Sequence, residues 1–239
     1  MFDARLPADF LLIDKLLSEQ AMVRILLEGD WAAETGPGEW SNFGPIPLMG
    51  PNSVPWRVRV KGPFLVVGIA LRPSGWCSLF EEPASMIADT AAPLSDCWGA
   101  LAAHLHDGVA GAAGDDDAIV AVIERIVRAR LAALGNKASS DAMAAFERIA
   151  REDSTIPVAQ AAGHSPKVIR RRSRFLDMAQ AIRGFSEPSA EHLAALRYFD
   201  QSHLNREFKH FFELTPGQFE KVTTPLFTAG LKLRADGLA

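Results

Sequence analysis

The spacing of apolar and polar residues gives the chain a front part with the period of strands and a rear part with the period of helices. After a short opening helix, the segments AMVRILLEGDW and WRVRVKGPFLVVGIALRP mix β-branched residues with turn formers and read as strands. From Trp56 to Val60 apolar and basic side chains alternate, the mark of a half-exposed strand. The run GPFLVVGIAL that follows is continuously apolar and reads as a buried strand. PSGWCSLF and PASMIADTAAPLSDCWGALAAHLHDGV read as helical segments broken at Pro83 and Pro93. The small, acidic stretch AGAAGDDD, Ala110 to Asp117, reads as a loop or hinge. Beyond it Ile119, Val122, Ile123, Ile126, Val127 and Leu131 fall at helical spacing, and Gly135 ends that helix. No strand pattern follows as far as about residue 220. These patterns predict an α+β protein with a β-rich domain over 1–113 and an all-helical domain over 114–239.

The most strongly sided segment is SHLNREFKHFF, Ser202 to Phe212. On a helix turning about 100° per residue, Leu204, Phe208, Phe211 and Phe212 share one apolar arc. Ser202, His203, Arg206, Lys209 and His210 lie opposite, with Asn205 on the flank and Glu207 as the one acidic intrusion. Such a face offers hydrogen-bond donors and positive charge. Upstream, SAEHLAALRYF forms a second short helix after Pro188, with Leu193 and Leu196 facing inward. Two short helices joined by FDQ satisfy the helix-turn-helix pattern over about 190–220.

Charge supports that reading locally although the whole chain is acidic, at −4. Residues 151–239 hold 13 Lys and Arg against 10 Asp and Glu, a net +3, whereas residues 1–150 hold 12 against 19. The run KVIRRRSR, Lys167 to Arg174, is the densest basic segment; taken alone, it is as well explained by a solvated helix face.

The residues Asp200-Gln201-Ser202-His203-Leu204, then Arg206, Phe208 and Lys209, then Thr215-Pro216 and Phe219, resemble the C-terminal signature of the AraC/XylS-type bacterial transcription regulators. GPFLVVGIALRPSGWCSLF and ASMIADTAAPLSDCWGA are similar to the sensor domains attached to some of these regulators. The resemblance implies a cupin-like barrel or sandwich with helices at the N-terminus and a helix-turn-helix domain at the C-terminus. It implies that Gln201, Ser202 and Asn205 hydrogen-bond base edges, that Arg206 forks onto guanine or clamps phosphate, and that Lys209 holds phosphate. His203 and His210 then contact the DNA backbone or simply complete a polar face. The partners expected are promoter DNA and a small-molecule effector at the N-terminal domain. RNA polymerase and a second copy of the chain are further candidates.

Members of this family normally carry two such units joined by a long helix, and two registers fit the first unit here. In one, STIPVAQAAGHSPKVIRRRSR is that unit and Arg170, Arg171 and Arg174 face DNA. In the other, Pro166 opens a single connecting helix that Gly184 stops, with Val168, Phe175, Ala179 and Ile182 as its apolar stripe. FERIAREDSTIPVAQAA is then a first unit broken by Pro157. A second departure is Arg197-Tyr198, standing where the family often has glycine in the turn.

Other constellations point to no chemistry. His104 and His106, two apart on a helix, point away from each other and make surface residues rather than metal ligands. Cys77 lacks a glycine elbow or oxyanion loop and reads as a small buried thiol. Gly114 to Asp117 lacks the alternating ligands of a calcium loop. No metal, cofactor or catalytic group is therefore expected. Trp31, Trp56 and Trp76 are candidates for lining an effector pocket in the N-terminal domain, a place where large aromatics serve equally as core. The two cysteines are too few for a disulfide framework. With no apolar stretch of membrane-spanning length and no signal-peptide pattern, a cytoplasmic protein is expected. The rival expectation is a protein-interaction or ligand-binding module whose helical part no longer binds DNA.

Overall fold

The structure is a computed structural model that describes residues 2–4, 10–135, 162–186 and 201–236. It is α+β: an antiparallel sheet followed by a helical region. The strands are β1 (Phe2–Ala4), β2 (Leu11–Leu16), β3 (Ala21–Gly36), β4 (Glu39–Ser41), β5 (Pro47–Met49), β6 (Trp56–Leu71) and β7 (Ala91–Pro93). They form one sheet whose spine runs β1-β6-β3-β5-β7, with β2 also on β6 and β4 also on β3.

The alternating segment and the continuous apolar run prove to be one 16-residue strand, β6. It pairs with β3 from Leu71 opposite Ala21 to Val58 opposite Ala33. The register shifts twice between Leu26 and Asp30, around Gly29 at φ +88°. A Cβ at Gly29 would sit 2.2 Å from the Pro63 carbonyl oxygen, so only glycine fits this bulge. The shift re-aims β3: Val23 and Ile25 enter one core, Trp31 and Ala33 another.

The expected opening helix is not a helix over Leu11–Leu16. That segment is β2, paired with β6 from Leu11 opposite Lys61 to Leu16 opposite Trp56. Its alternating burial, with Asp14 and Leu16 inward and Leu11 and Ile13 outward, is the period of a strand.

Helices α1 (Pro73–Leu79), α2 (Ser95–Trp98), α3 (Ala100–Gly111) and α4 (Asp116–Ala133) cover one face of the sheet. Val23, Ile25 and Leu71 share a core there with Trp76, Leu79, Trp98 and Leu105. Residues 112–115 link α3 directly to α4, and the Asp115 carboxylate accepts the Ala118 amide at 3.0 Å to start the latter. Ile119 and Ile126 pack into the same core. The helix expected to open the C-terminal domain thus packs with the N-terminal sheet.

The remaining described helices are α5 (Pro166–Ile182), α6 (Gln201–Phe212), α7 (Pro216–Lys221) and α8 (Pro225–Ala235). They gather around six phenylalanines, Phe175, Phe208, Phe211, Phe212, Phe219 and Phe227. Phe175 stacks on Phe211 at 4.3 Å between ring centres and meets Phe208 edge-on at 5.1 Å. The segments read as the first helix-turn-helix unit and as the helix SAEHLAALRYF lie outside the described residues, as does Arg197-Tyr198. No helix among the described residues is long and apolar enough to cross a membrane.

Candidate nucleic-acid interface and the cavity behind it

Helix α6 has the two faces its spacing predicts. Phe208, Phe211 and Phe212 are buried and Leu204 packs beside them. Ser202, Arg206, Lys209 and His210 are exposed, and Asn205 is half-buried. Arg206 has no hydrogen-bond or ion-pair partner among the described residues. The side chains of Gln201 and His203 lie outside the described residues. At its end, Glu213 adopts φ +63° and Lys209 Nζ donates to the Glu213 carbonyl at 3.4 Å. The next helix starts with a capping box in which Thr215 accepts the Gln218 amide and the Gln218 side chain accepts the Thr215 amide. Thr215-Pro216 is therefore a helix start that fixes where α7 leaves α6.

Glu207, the acidic intrusion on the polar face, is not on that face. It is buried and accepts two hydrogen bonds from Arg171 of α5, at 2.9 and 3.0 Å. The bidentate pair neutralises Glu207 and leaves the outward surface of α6 without an acidic side chain at that turn. The same pairing engages the partly exposed Arg171 in bracing α6, while Arg170 and Arg174 are exposed. Burial and the nearby Arg171 guanidinium lower the pKa of His210, so its ring is neutral at neutral pH. Helix α5 itself runs unbroken from Ser165, whose side chain accepts the Val168 amide, to Arg183, with Gly184 at φ +71°. That is the shape of the connecting-helix register.

Sequence reasoning missed the residues that dock these helices onto the sheet. Arg172, in the middle of the basic run, is 1% exposed. It donates to the Asn52 carbonyl at 2.6 Å and the Glu19 carbonyl at 2.9 Å. A signal existed: Arg172 lies four residues after Val168 and three before Phe175, on the apolar stripe. Asp14 of β2 accepts the Leu226 and Phe227 amides at 2.7 and 3.3 Å, capping α8 from another part of the chain. Arg234 of α8 pairs with Glu19 at 2.6 Å and Asp177 at 2.7 Å. Gly163, at φ +80°, lets the chain pass so close to the sheet that a Cβ would lie 2.6 Å from Pro51 Cγ.

Between the sheet face that carries Met22 and Arg24, opposite Val23 and Ile25, and helices α4, α5 and α8 lies a cavity of about 480 Å³. Met22, Arg24, Gly68 and Ala70 supply its sheet side, with Ile123 and Leu231 among the helical residues around it. The tryptophans expected to line a pocket do not border it. Trp76 stacks on Phe80 at 4.2 Å and donates to the Glu82 carbonyl at 2.7 Å within the core under α1–α4. Trp31 is buried and Trp56 half-buried in a different cluster of the sheet. Trp76 thus lies in a different cluster from Trp31 and Trp56.

His106 donates through Nε2 to the Leu26 carbonyl at 3.1 Å, while His104 is exposed. Cys77 is half-buried and Cys97 exposed, and neither forms a disulfide. Among the described residues no group of three His, Cys, Asp or Glu side chains is arranged to hold a metal ion. No family model, curated protein or solved structure matches the chain.

Proposed function

We propose that the protein is a sequence-specific DNA-binding transcription regulator of the AraC/XylS type, with α6 as the helix that enters the major groove. The observation that carries this reading is the sidedness of α6: one face locked into a phenylalanine core, the other presenting Ser202, Arg206, Lys209 and His210 to solvent. A 12-residue helix is roughly 18 Å long, and the major groove, about 12 Å wide, admits one lengthwise. In this reading Gln201, Ser202 and Asn205 read base edges, Arg206 takes guanine or phosphate, and Lys209 holds phosphate. SAEHLAALRYF completes the helix-turn-helix unit, and the antiparallel sheet is the cupin-like sensor half.

Genomic fragments retained by the protein supply the cognate site, and fluorescence anisotropy then measures affinity. Arg206→Ala is expected to weaken specific binding by about 1–3 kcal/mol with helical content unchanged. An unchanged affinity would show that α6 is not the reading helix.

A second reading, an interaction module without DNA binding, is favoured by one observation: Arg171, one of the arginines expected to face DNA, is engaged by Glu207. Salt separates the two. A DNA binder loses affinity steeply as log salt rises, whereas this module retains no DNA even at low salt.

A further inference from the structure

Arg24 is a charged side chain in the middle of a strand on the spine of the sheet. Strand alternation places it with Met22 on the face opposite Val23 and Ile25. Arg24 there lines the cavity that α4 and α8 border. It keeps some accessible surface, and that surface faces the cavity. Among the described residues it has no hydrogen-bond or ion-pair partner. Burial alone lowers its pKa, to about 10, with no carboxylate acting against that shift.

An unpaired guanidinium largely removed from water is costly unless something of opposite charge joins it. The acids on the cavity wall do not serve. Glu19 is committed to Arg234, and Asp116 is exposed in the first turn of α4. Arg234, the other cation on the wall, is itself held by Glu19 and Asp177. Among the described residues of the wall Arg24 is thus the one cation without an ion-pair partner, which suits a singly charged anion better than a phosphate carrying nearly two.

The surroundings set the rest of the ligand. Directly across from Arg24 on β6 is Gly68, and Ala70 lies opposite Met22, so the sheet wall beside the guanidinium is nearly bare. Val66, Ile119, Ile123, Phe227 and Leu231 make most of the remaining surface apolar. At the roughly 30 Å³ that a water-sized group occupies in a liquid, 480 Å³ admits about sixteen non-hydrogen atoms.

We infer that this cavity binds an amphipathic monocarboxylate, an organic acid with one carboxylate on an apolar body of about ten to sixteen non-hydrogen atoms, and that Arg24 takes the carboxylate. The aliphatic or aryl-alkyl body lies along Gly68 and Ala70 under α4 and α8. This inference does not depend on DNA binding: it concerns the sheet-facing cavity and is tested on the full chain without nucleic acid.

Isothermal titration with dodecanoate, dodecanol and dodecyl phosphate provides the test, with thermal unfolding as a second readout. Dodecanoate is expected to bind and raise the melting temperature, and both dodecanol and dodecyl phosphate to bind more weakly. Arg24→Met should weaken dodecanoate by about tenfold or more, the worth of a charge-assisted hydrogen bond, and leave dodecanol unchanged. The same variant should melt at or above the wild-type temperature without ligand, because it removes a half-buried charge that has no partner among the described residues. Gly68→Leu, which fills the cavity, should abolish binding of both. Equal affinity for dodecanoate and dodecanol, undiminished dodecanoate binding in Arg24→Met, tighter binding of dodecyl phosphate, or no binding by any of the three overturns the proposal.

Discussion

The two faces of the sheet are covered by different means. Under α1–α4 the closure is apolar: Val23, Ile25, Leu48, Leu94, Leu105 and Val109 are each 1% exposed or less. Under α5 and α8 the closure is made at polar points. Arg172 grips two carbonyls, Asp14 caps α8, and Arg234 bridges Glu19 and Asp177, with a cavity between them. Hydrophobic contact is non-directional and packs densely, so it tolerates few voids. Hydrogen bonds are directional and hold two surfaces at fixed points with space left between. The first cover is core; the second is an interface pinned around an opening.

Chemical unfolding can break that comparison, because all five tryptophans lie in residues 1–150 and report on the sheet. The largest effect is expected for Phe175→Ala, which removes the ring at the centre of the helical cluster and should cost about 3–5 kcal/mol. Circular dichroism should then fall at lower urea than tryptophan fluorescence; coincident transitions would mean that both covers form one cooperative unit. Arg172→Met leaves two carbonyls without their donor and should cost about 2–4 kcal/mol, with the same ordering of probes.

Asp14→Ala should cost about 1–2 kcal/mol, the worth of a helix cap, and Asp14→Asn less, since an amide oxygen still accepts. Burial raises the Asp14 carboxyl above its ordinary value, although the Lys15, Leu226 and Phe227 amides oppose the rise. The stability linked to this group is therefore complete below the unfolded pKa, near 3.8, and declines as pH rises through the higher folded one. Urea midpoints from about pH 4 to about pH 6 should show that decline in the wild type and lack it in Asp14→Asn. The smallest effect is expected at Arg206, exposed and without a partner among the described residues: Arg206→Ala should stay within about 0.5 kcal/mol of wild-type stability, so any change in DNA affinity is read on an intact fold.

Local patterns were legible wherever the partner of a residue is a near neighbour in the chain. The helical spacing from Ile119 to Leu131, the sidedness of Ser202–Phe212, the start at Ser165-Pro166 and the stop at Gly184 all depend on contacts within a few residues. Leu11–Leu16 misled because a six-residue apolar segment suits either period, and the register with β6, some 45 positions away, decided it.

By itself the sequence determined the two long strands, the helices from Asp116 and Pro166 and which side of α6 is apolar, because propensity and periodicity act over a few residues. Leu11–Leu16 and Ala91–Pro93, by contrast, became strands only through their partners. Tertiary structure alone decided the environment of the charges. Arg24 and Arg172 look like solvated residues in a strand and a basic run. One borders a cavity and the other is buried because helices far along the chain fold back over the sheet, and Arg172 finds its acceptors 120 and 153 positions away. The free energy of a charge depends on what surrounds it in space, and that neighbourhood exists only once the chain has closed.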